Sequence, residues 1–315
     1  MKPTSGRVLR WGAGVASLGM LLVLVMGAAV TNTGSAQGCG RSWPLCNGQF
    51  VPEFTVEAAI EYSHRAVTGV EGVLILALAA AMVALWRHDR EVQVLVPLML
   101  GSLVLQAGLG AAAVMMPQSP AVLASHFGIS LVAFASTFLA TVVVFERTGA
   151  RASVQTTAVT PGLRTAVLAV GGWVLVVVYL GAYIRHAGVS LACPDWPLCT
   201  GQVVPSLDGP TGVVFAHRLA ALVAVLLLAW LSRHTRGVPG LGPVALVAFG
   251  LSVLQALSGA LVVTTRLGLF SALGHAALMA VLFGALAELT RRALASPPRY
   301  TYNASPSTGV IRITP

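Results

Sequence analysis

The sequence is poor in charge. Of 315 residues, 19 are basic and 10 acidic, so charged residues make up 9% of the chain. A soluble globular domain carries about 25%. A water-soluble enzyme of this length could not cover its surface with so few charges. Disorder is excluded from the other side, because disordered chains lack apolar residues and 56% of this chain is hydrophobic. Lysine is nearly absent: Lys2 is the only one, and the other basic residues are arginines scattered between apolar runs. The net charge of +9 comes with no basic stripe and no RNA-type motif, which excludes nucleic acid as a partner. The class that remains is a polytopic membrane protein.

What is present is a series of eight long apolar runs, each able to cross a hydrocarbon core of roughly 30 Å. They lie near Trp11–Val30, Ala66–Trp86, Val92–Met116, Ala121–Phe145, Thr165–Ile184, Val213–Leu231, Leu241–Thr264 and Leu267–Leu289. The first follows Lys2, Arg7 and Arg10 as a signal peptide would. It is too long for a signal core and lacks a clean small-residue cleavage site, so it is read as a retained helix. With the N-terminus inside, 14 of the 19 basic residues fall on the cytoplasmic side and 5 outside. The expectation is therefore a plasma-membrane protein in contact with lipid, both termini cytoplasmic. The long loops 31–64 and 185–212 then face outward.

The chain repeats. Trp43-Pro-Leu-Cys-Asn-Gly-Gln-Phe-Val-Pro52 and Trp196-Pro-Leu-Cys-Thr-Gly-Gln-Val-Val-Pro205 agree at 8 of 10 positions, at an offset of 153. The same offset carries His64-Arg65 onto His217-Arg218, and an offset of 149 carries Gln106, Gly110 and His126 onto Gln255, Gly259 and His275. The expected fold class is an all-α membrane protein of eight transmembrane helices, arranged as two parallel-repeat four-helix bundles. The expected units are 1–150 and 151–295, followed by a Pro/Ser/Thr-rich tail, 296–315, read as disordered and cytoplasmic.

The four cysteines form two close pairs, Cys39/Cys46 and Cys193/Cys199, both in outward loops where disulfides persist. A zinc site would need tighter spacing and further ligands. Each pair reads either as a local staple or as a redox-active couple, the latter better suited to Cys39/Cys46.

Of the seven histidines, His88 and His234 sit beside arginines in cytoplasmic segments and read as solvated, and His186 reads as interfacial. The other four stand at repeated positions. His64 and His217 are expected to open the second helix of each half, and His126 and His275 to lie one to two turns into the fourth. A single membrane histidine bonds a neighbouring backbone group or hydroxyl. Four in matched pairs near one membrane face point to metal chemistry, because ionisable groups in the bilayer are rare and usually functional. Two helices of one bundle, each offering an imidazole at one depth, grip a haem iron from both faces. Proton relay and copper binding are the other readings. Gln106 and Gln255 read as interhelical hydrogen bonds or as lining of the pocket. Arg65 and Arg218 read as snorkelling side chains or as partners of haem propionates.

Acids break the symmetry. Glu61 lies one turn before His64, on the same face, and its counterpart is Val214. Beside a ligand it can tune the imidazole or move protons. Glu71, two turns beyond His64, maps onto Ala224 and reads as a neutral packing carboxyl. The half with the acids is the candidate for chemistry, and the other for electron storage.

Several segments together carry a family resemblance. They are Val30-Thr-Asn-Thr-Gly-Ser-Ala-Gln-Gly-Cys-Gly-Arg-Ser-Trp-Pro-Leu-Cys46, Glu61-Tyr-Ser-His-Arg65, Ala124-Ser-His-Phe-Gly128, Gly181-Ala-Tyr-Ile-Arg-His186, Ala192-Cys-Pro-Asp-Trp-Pro-Leu-Cys199 and His217-Arg218. The chain resembles the cysteine-containing type of the bacterial haem A synthases from Trp11 to about Arg292. That resemblance implies oxidation of the methyl at porphyrin carbon 8 of haem O to a formyl group, giving haem A for terminal oxidases. It maps a haem b onto His217 and His275, the substrate haem onto His64 and His126, the family's important glutamate onto Glu61, and its loop cysteines onto both pairs. Haem O synthase, a quinol or other electron donor, and a second copy of the chain are the partners compatible with it. Asn32 and Thr33 stand where an arginine and a leucine are usual, so no propionate contact is carried over to that loop. An iron held by two histidines has no open position for oxygen. Either one ligand leaves during turnover, which Glu61 makes easier to picture at His64, or the oxidation does not proceed by oxygen binding at that iron.

Three rivals compete. A dihaem b-type cytochrome passing electrons from quinol explains the histidines but not the one-sided Glu61. A thiol oxidase explains only the cysteines. A transporter predicts paired helix breaks that the glycines do not mark.

Overall fold

The computed structural model describes residues 3–152, 159–295, 301–304 and 311–314. Eight helices run in chain order: α1 (Pro3–Asn32), α2 (Val56–Trp86), α3 (Arg90–Met115), α4 (Pro120–Arg147), α5 (Pro161–His186), α6 (Gly209–His234), α7 (Gly242–Thr264) and α8 (Leu269–Leu294). All eight are long and apolar enough to cross a membrane. Of the tail read as disordered, 296–300, 305–310 and 315 lie outside the described residues. Thr301–Ala304 (β1) and Ile311–Thr314 (β2) pair antiparallel, so over those eight residues the tail is strand.

Local chemistry sets the helix starts. Thr55, Ser119 and Thr160 each accept the N–H of the residue three further on, and Pro120 and Pro161 follow two of these caps at the first helical position. Asp89 caps α3 by accepting the Glu91 N–H at 2.9 Å. The Thr55 cap corrects the reading of α2. The helix begins at Val56, ten residues before the apolar run at Ala66, because Glu57, Glu61, His64 and Arg65 are helical without being apolar. His64 and His217 therefore do not open their helices. Each lies two turns in, at the same place in α2 and α6.

Within the first half α1 touches α2, α2 touches α3, α3 touches α4 and α4 returns to α1. Within the second, α5 to α8 close a ring in the same way. Between the halves, α4 meets α5, α1 meets α8, and α4 meets α8. Exchanging each helix for its counterpart maps this set of neighbours onto itself. At the centre α4 is buried along most of its length, through small residues such as Ala133, Ala135, Ser136 and Ala140 that let neighbouring backbones approach. Gly284 of α8 leaves room for Phe134 and Phe138 of α4, whose nearest ring carbons would stand 3.3 and 3.5 Å from a Cβ placed there.

Each half carries one cysteine loop ahead of its second helix. Cys39–Cys46 and Cys193–Cys199 are disulfides, with Cα separations of 4.5 and 4.6 Å. Each loop ends in a two-residue hairpin with both central residues at positive φ: Asn47 and Gly48 at 50° and 77°, Thr200 and Gly201 at 54° and 74°. Their flanks pair as Cys46 with Gln49 and Cys199 with Gln202. Both bridges are buried.

Candidate functional site

The four repeated histidines share one local arrangement. Each imidazole lies on a glycine of the helix before its own. His64 rests on Gly27 of α1, His126 on Gly110 of α3, His217 on Gly181 of α5 and His275 on Gly259 of α7. A Cβ at those glycines would stand 3.4, 3.2, 2.9 and 3.3 Å from the respective Cε1. Glycine is what lets each ring approach the neighbouring helix so closely. Gly110 and Gly259 belong to the repeat read from the sequence. Gly27 and Gly181 were missed, although the offset of 154 that pairs Cys39 with Cys193 also pairs them.

Depth repeats as well. His64 and His217 each follow their helix start by eight residues, and His126 and His275 theirs by six. His64 and His126 are close enough to interact electrostatically, as are His217 and His275. The Nδ1 atoms of His64, His126 and His217 are buried without a hydrogen-bond partner. Such orphaned nitrogens are rare in finished interiors. Among the described residues no three His, Cys, Asp or Glu side chains gather as a protein-only metal site. Two apolar-walled pairs of imidazoles, each with unused polar atoms, suit an iron porphyrin better than a bare ion.

His275 differs from the other three in having hydrogen-bond partners at its ring. The Ser258 hydroxyl lies 2.8 Å from His275 Nδ1, and the Gln255 amide nitrogen lies 3.2 to 3.3 Å from the ring nitrogens and 3.2 Å from the His275 carbonyl. The 149 offset takes Ser258 to Leu109, so His126 has no such hydroxyl. Gln106 is buried with its Nε2 unpartnered. Sequence reasoning did not single out Ser258.

Glu61 and the two arginines hold the loops. Glu61 is 3% exposed. Its Oε2 accepts the Cys39 N–H at 2.8 Å and its Oε1 accepts from Arg65 at 2.5 Å. Arg65 also donates to the carbonyls of Ser42 and Leu45, at 2.8 and 2.9 Å. Arg218 repeats this in the second half, donating to Leu198 and Cys193 carbonyls, both at 2.8 Å. The residue after each α2- or α6-histidine thus pins the disulfide loop over the start of that helix, and in the first half Glu61 doubles the pin. Gly38 completes it by lying against the Glu57 and Ala58 backbone, where a Cβ has no room. Neither guanidinium was expected in this role.

The sequence model of the COX15-CtaA family, described as cytochrome oxidase assembly protein, matches residues 10–287. The chain belongs to this family. Its relatives include a heme A synthase of Geobacillus kaustophilus, 43% identical over 298 residues, or 91% of this chain and 92% of the relative. A heme A synthase of Symbiobacterium thermophilum is 41% identical over 86% of this chain and 90% of its own length. One of Bacillus cereus is 40% identical over 90% and 92%. The residues matched by the family model include both cysteine loops and all four histidines.

Proposed function

We propose that the chain is a haem A synthase: a multi-pass membrane oxidoreductase that converts the C8 methyl of haem O to the formyl group of haem A. The observation that carries the reading is the fourfold seating of an imidazole on glycine, at matched depth, in a chain at least 40% identical to heme A synthases over most of its length. In this reading residues 1–150 form the substrate half and 151–295 the cofactor half. The loop end faces outward and both termini are cytoplasmic, which the distribution of arginines supports.

His217 and His275 would hold a resident haem b, which would supply single-electron transfer when bound. Ser258 favours this assignment. Its hydroxyl lies at His275 Nδ1, the kind of support that fixes a ligand's tautomer and orientation, and the Gln255 amide, 3.2 Å from Nε2, would give way to the iron there. His64 and His126 hold the iron of haem O. His126, the counterpart of His275, lacks the hydroxyl that Ser258 supplies there, as suits a site that must release its product. Glu61 stands one turn from His64 and is the group assigned to hold and move protons as the methyl is oxidised. Through its bond to the Cys39 amide it also fixes the loop that shields this end from water. Gln106 and Gln255 line the two pockets. Haem O synthase is the partner that supplies the substrate, and a quinol or a similar donor exchanges electrons with the second half.

The reading is tested by extracting haems from cells that express the chain beside a source of haem O. Haem A is expected with the wild type and should be missing with His64→Ala. A preparation with two low-spin haem b groups and no haem A would overturn it in favour of an electron-transfer cytochrome.

A further inference from the structure

Glu71 is unused by this mechanism and unsatisfied in the fold. Along α2, Glu61, His64, Thr68 and Glu71 recur at helical spacing on one face. The same face continues as Ile75, Leu78 and Met82, all buried. Glu71 is therefore the deepest polar group of the stripe, about 10 Å along the helix from His64. It is 2% exposed, and its Oε1 is buried with no partner. No cation pairs with it among the described residues. Helix α1 makes room for it at Gly19, where the carboxyl occupies the place a Cβ would take. A buried polar oxygen costs free energy unless a donor reaches it.

The second half is built differently at the same place. The offset of 154 takes Gly19 to Trp173, and the offset of 153 takes Glu71 to Ala224. Trp173 donates its indole N–H to the Ala220 carbonyl at 3.0 Å, one turn before Ala224. A glycine and an unsatisfied acid in one half are matched by a satisfied indole and a methyl in the other.

We propose that Glu71, seated against Gly19, accepts a hydrogen bond from the hydroxyl group by which haem O differs from haem b, and so makes the first half selective for its substrate. This rests on the function proposed above. Haem O carries a hydroxyalkyl chain where haem b carries a vinyl group. A carboxyl oxygen accepts an O–H whether or not the acid is ionised. A vinyl group in its place leaves that oxygen buried and unpaired. Sites built to bond a hydroxyl discriminate against the analogue that lacks it, because the penalty falls on the protein's own polar group. The Trp173–Ala224 site offers no free acceptor and presents apolar surface, which suits two vinyl groups.

The experiment titrates purified protein with haem O and with haem b by absorbance, using His64→Ala to isolate binding in the first half. The wild type should take haem O at that site roughly 10-fold or more tightly than haem b. Glu71→Ala should abolish the preference, and Glu71→Gln, which keeps an acceptor oxygen, should retain it. Gly19→Ala, whose Cβ displaces the carboxyl, should match Glu71→Ala. The second-half haem spectrum reports that each variant is folded, and Gly19→Ala decides alone if Glu71→Ala fails to assemble. An unchanged preference for haem O in these variants overturns the role of Glu71 and leaves the proposed function standing. A wild-type protein that binds no haem O overturns both.

Discussion

Arg185 and Asn32 join the two halves at the loop end: Arg185 donates its Nε–H to Asn32 Oδ1 at 3.0 Å, across 153 residues. Its Nη2 also donates to the Thr31 carbonyl at 3.1 Å. The 154 offset makes Thr31 the counterpart of Arg185, so the contact forms where the repeated segments α1 and α5 end. Asn32 serves here as an acceptor. At the opposite end Arg291 of α8 spans Glu146 of α4 and Glu91 of α3, each at 2.9 Å, and Glu288 lies 2.7 Å from its Nε. Arginines therefore bridge the halves at both ends, with the α4–α8 contact between them.

Arg185→Met keeps the stem and removes both hydrogen bonds. It should lower stability by about 1–2 kcal/mol, a modest figure because the guanidinium is only half-buried. Asn32→Ala should cost less, and the two changes should couple by about 0.5–1.5 kcal/mol in a double-mutant cycle on thermal unfolding in detergent. Strictly additive effects would mean the bond contributes nothing to holding the halves together.

The four glycines predict a graded series. Gly181→Ala should be the most damaging, since its Cβ would stand 2.9 Å from His217 Cε1 and 3.3 Å from Nε2. Gly110→Ala and Gly259→Ala, at 3.2 and 3.3 Å, should be intermediate, and Gly27→Ala, at 3.4 Å, mildest. Haem content and the low-spin spectrum of each purified variant give the order. Equal haem content across the four would show that the imidazoles do not depend on these seats.

Much of this was legible because the membrane imposes it. Apolar runs fix the number of helices, and a repeated motif fixes which histidines correspond. What was hidden lies in contacts between helices. The start of α2 was misplaced because hydropathy measures where lipid begins, whereas the Thr55 cap decides where the helix begins. The role of Arg65 was missed because its acceptors are backbone carbonyls of Ser42 and Leu45, which no side-chain pattern reveals. Gly27 was overlooked among 33 glycines until His64 was seen against it.

Ser258 gives a test of the cofactor half. In the proposed reading its hydroxyl, 2.8 Å from His275 Nδ1, supports a ligand rather than being one. Losing such support typically costs about 10- to 100-fold in metal affinity. Ser258→Ala should therefore release haem from the second half on dilution, while leaving first-half binding of haem O unchanged. Retention equal to wild type would reduce the contact to packing.

Glu61 decides whether the first half has chemistry of its own. The carboxylate binds both the Cys39 amide and Arg65, so its removal loosens a loop as well as deleting a proton carrier. Two variants separate these effects. Arg65→Met breaks the same ion pair and frees the Ser42 and Leu45 carbonyls, yet leaves the acid in place. Glu61→Gln keeps the shape of the side chain and an oxygen for the Cys39 amide but cannot carry the proton. Loss of a general acid or base lowers rates by about 100- to 10,000-fold. Glu61→Gln should therefore insert, keep the second-half haem spectrum and accumulate haem O or a half-oxidised haem, with little haem A. Arg65→Met should lose far less. Chromatography of haems extracted from cells expressing each variant beside a haem O source makes the comparison. Equal losses in the two variants would make Glu61 an anchor for the disulfide loop. Wild-type haem A in Glu61→Gln would remove it from the reaction altogether.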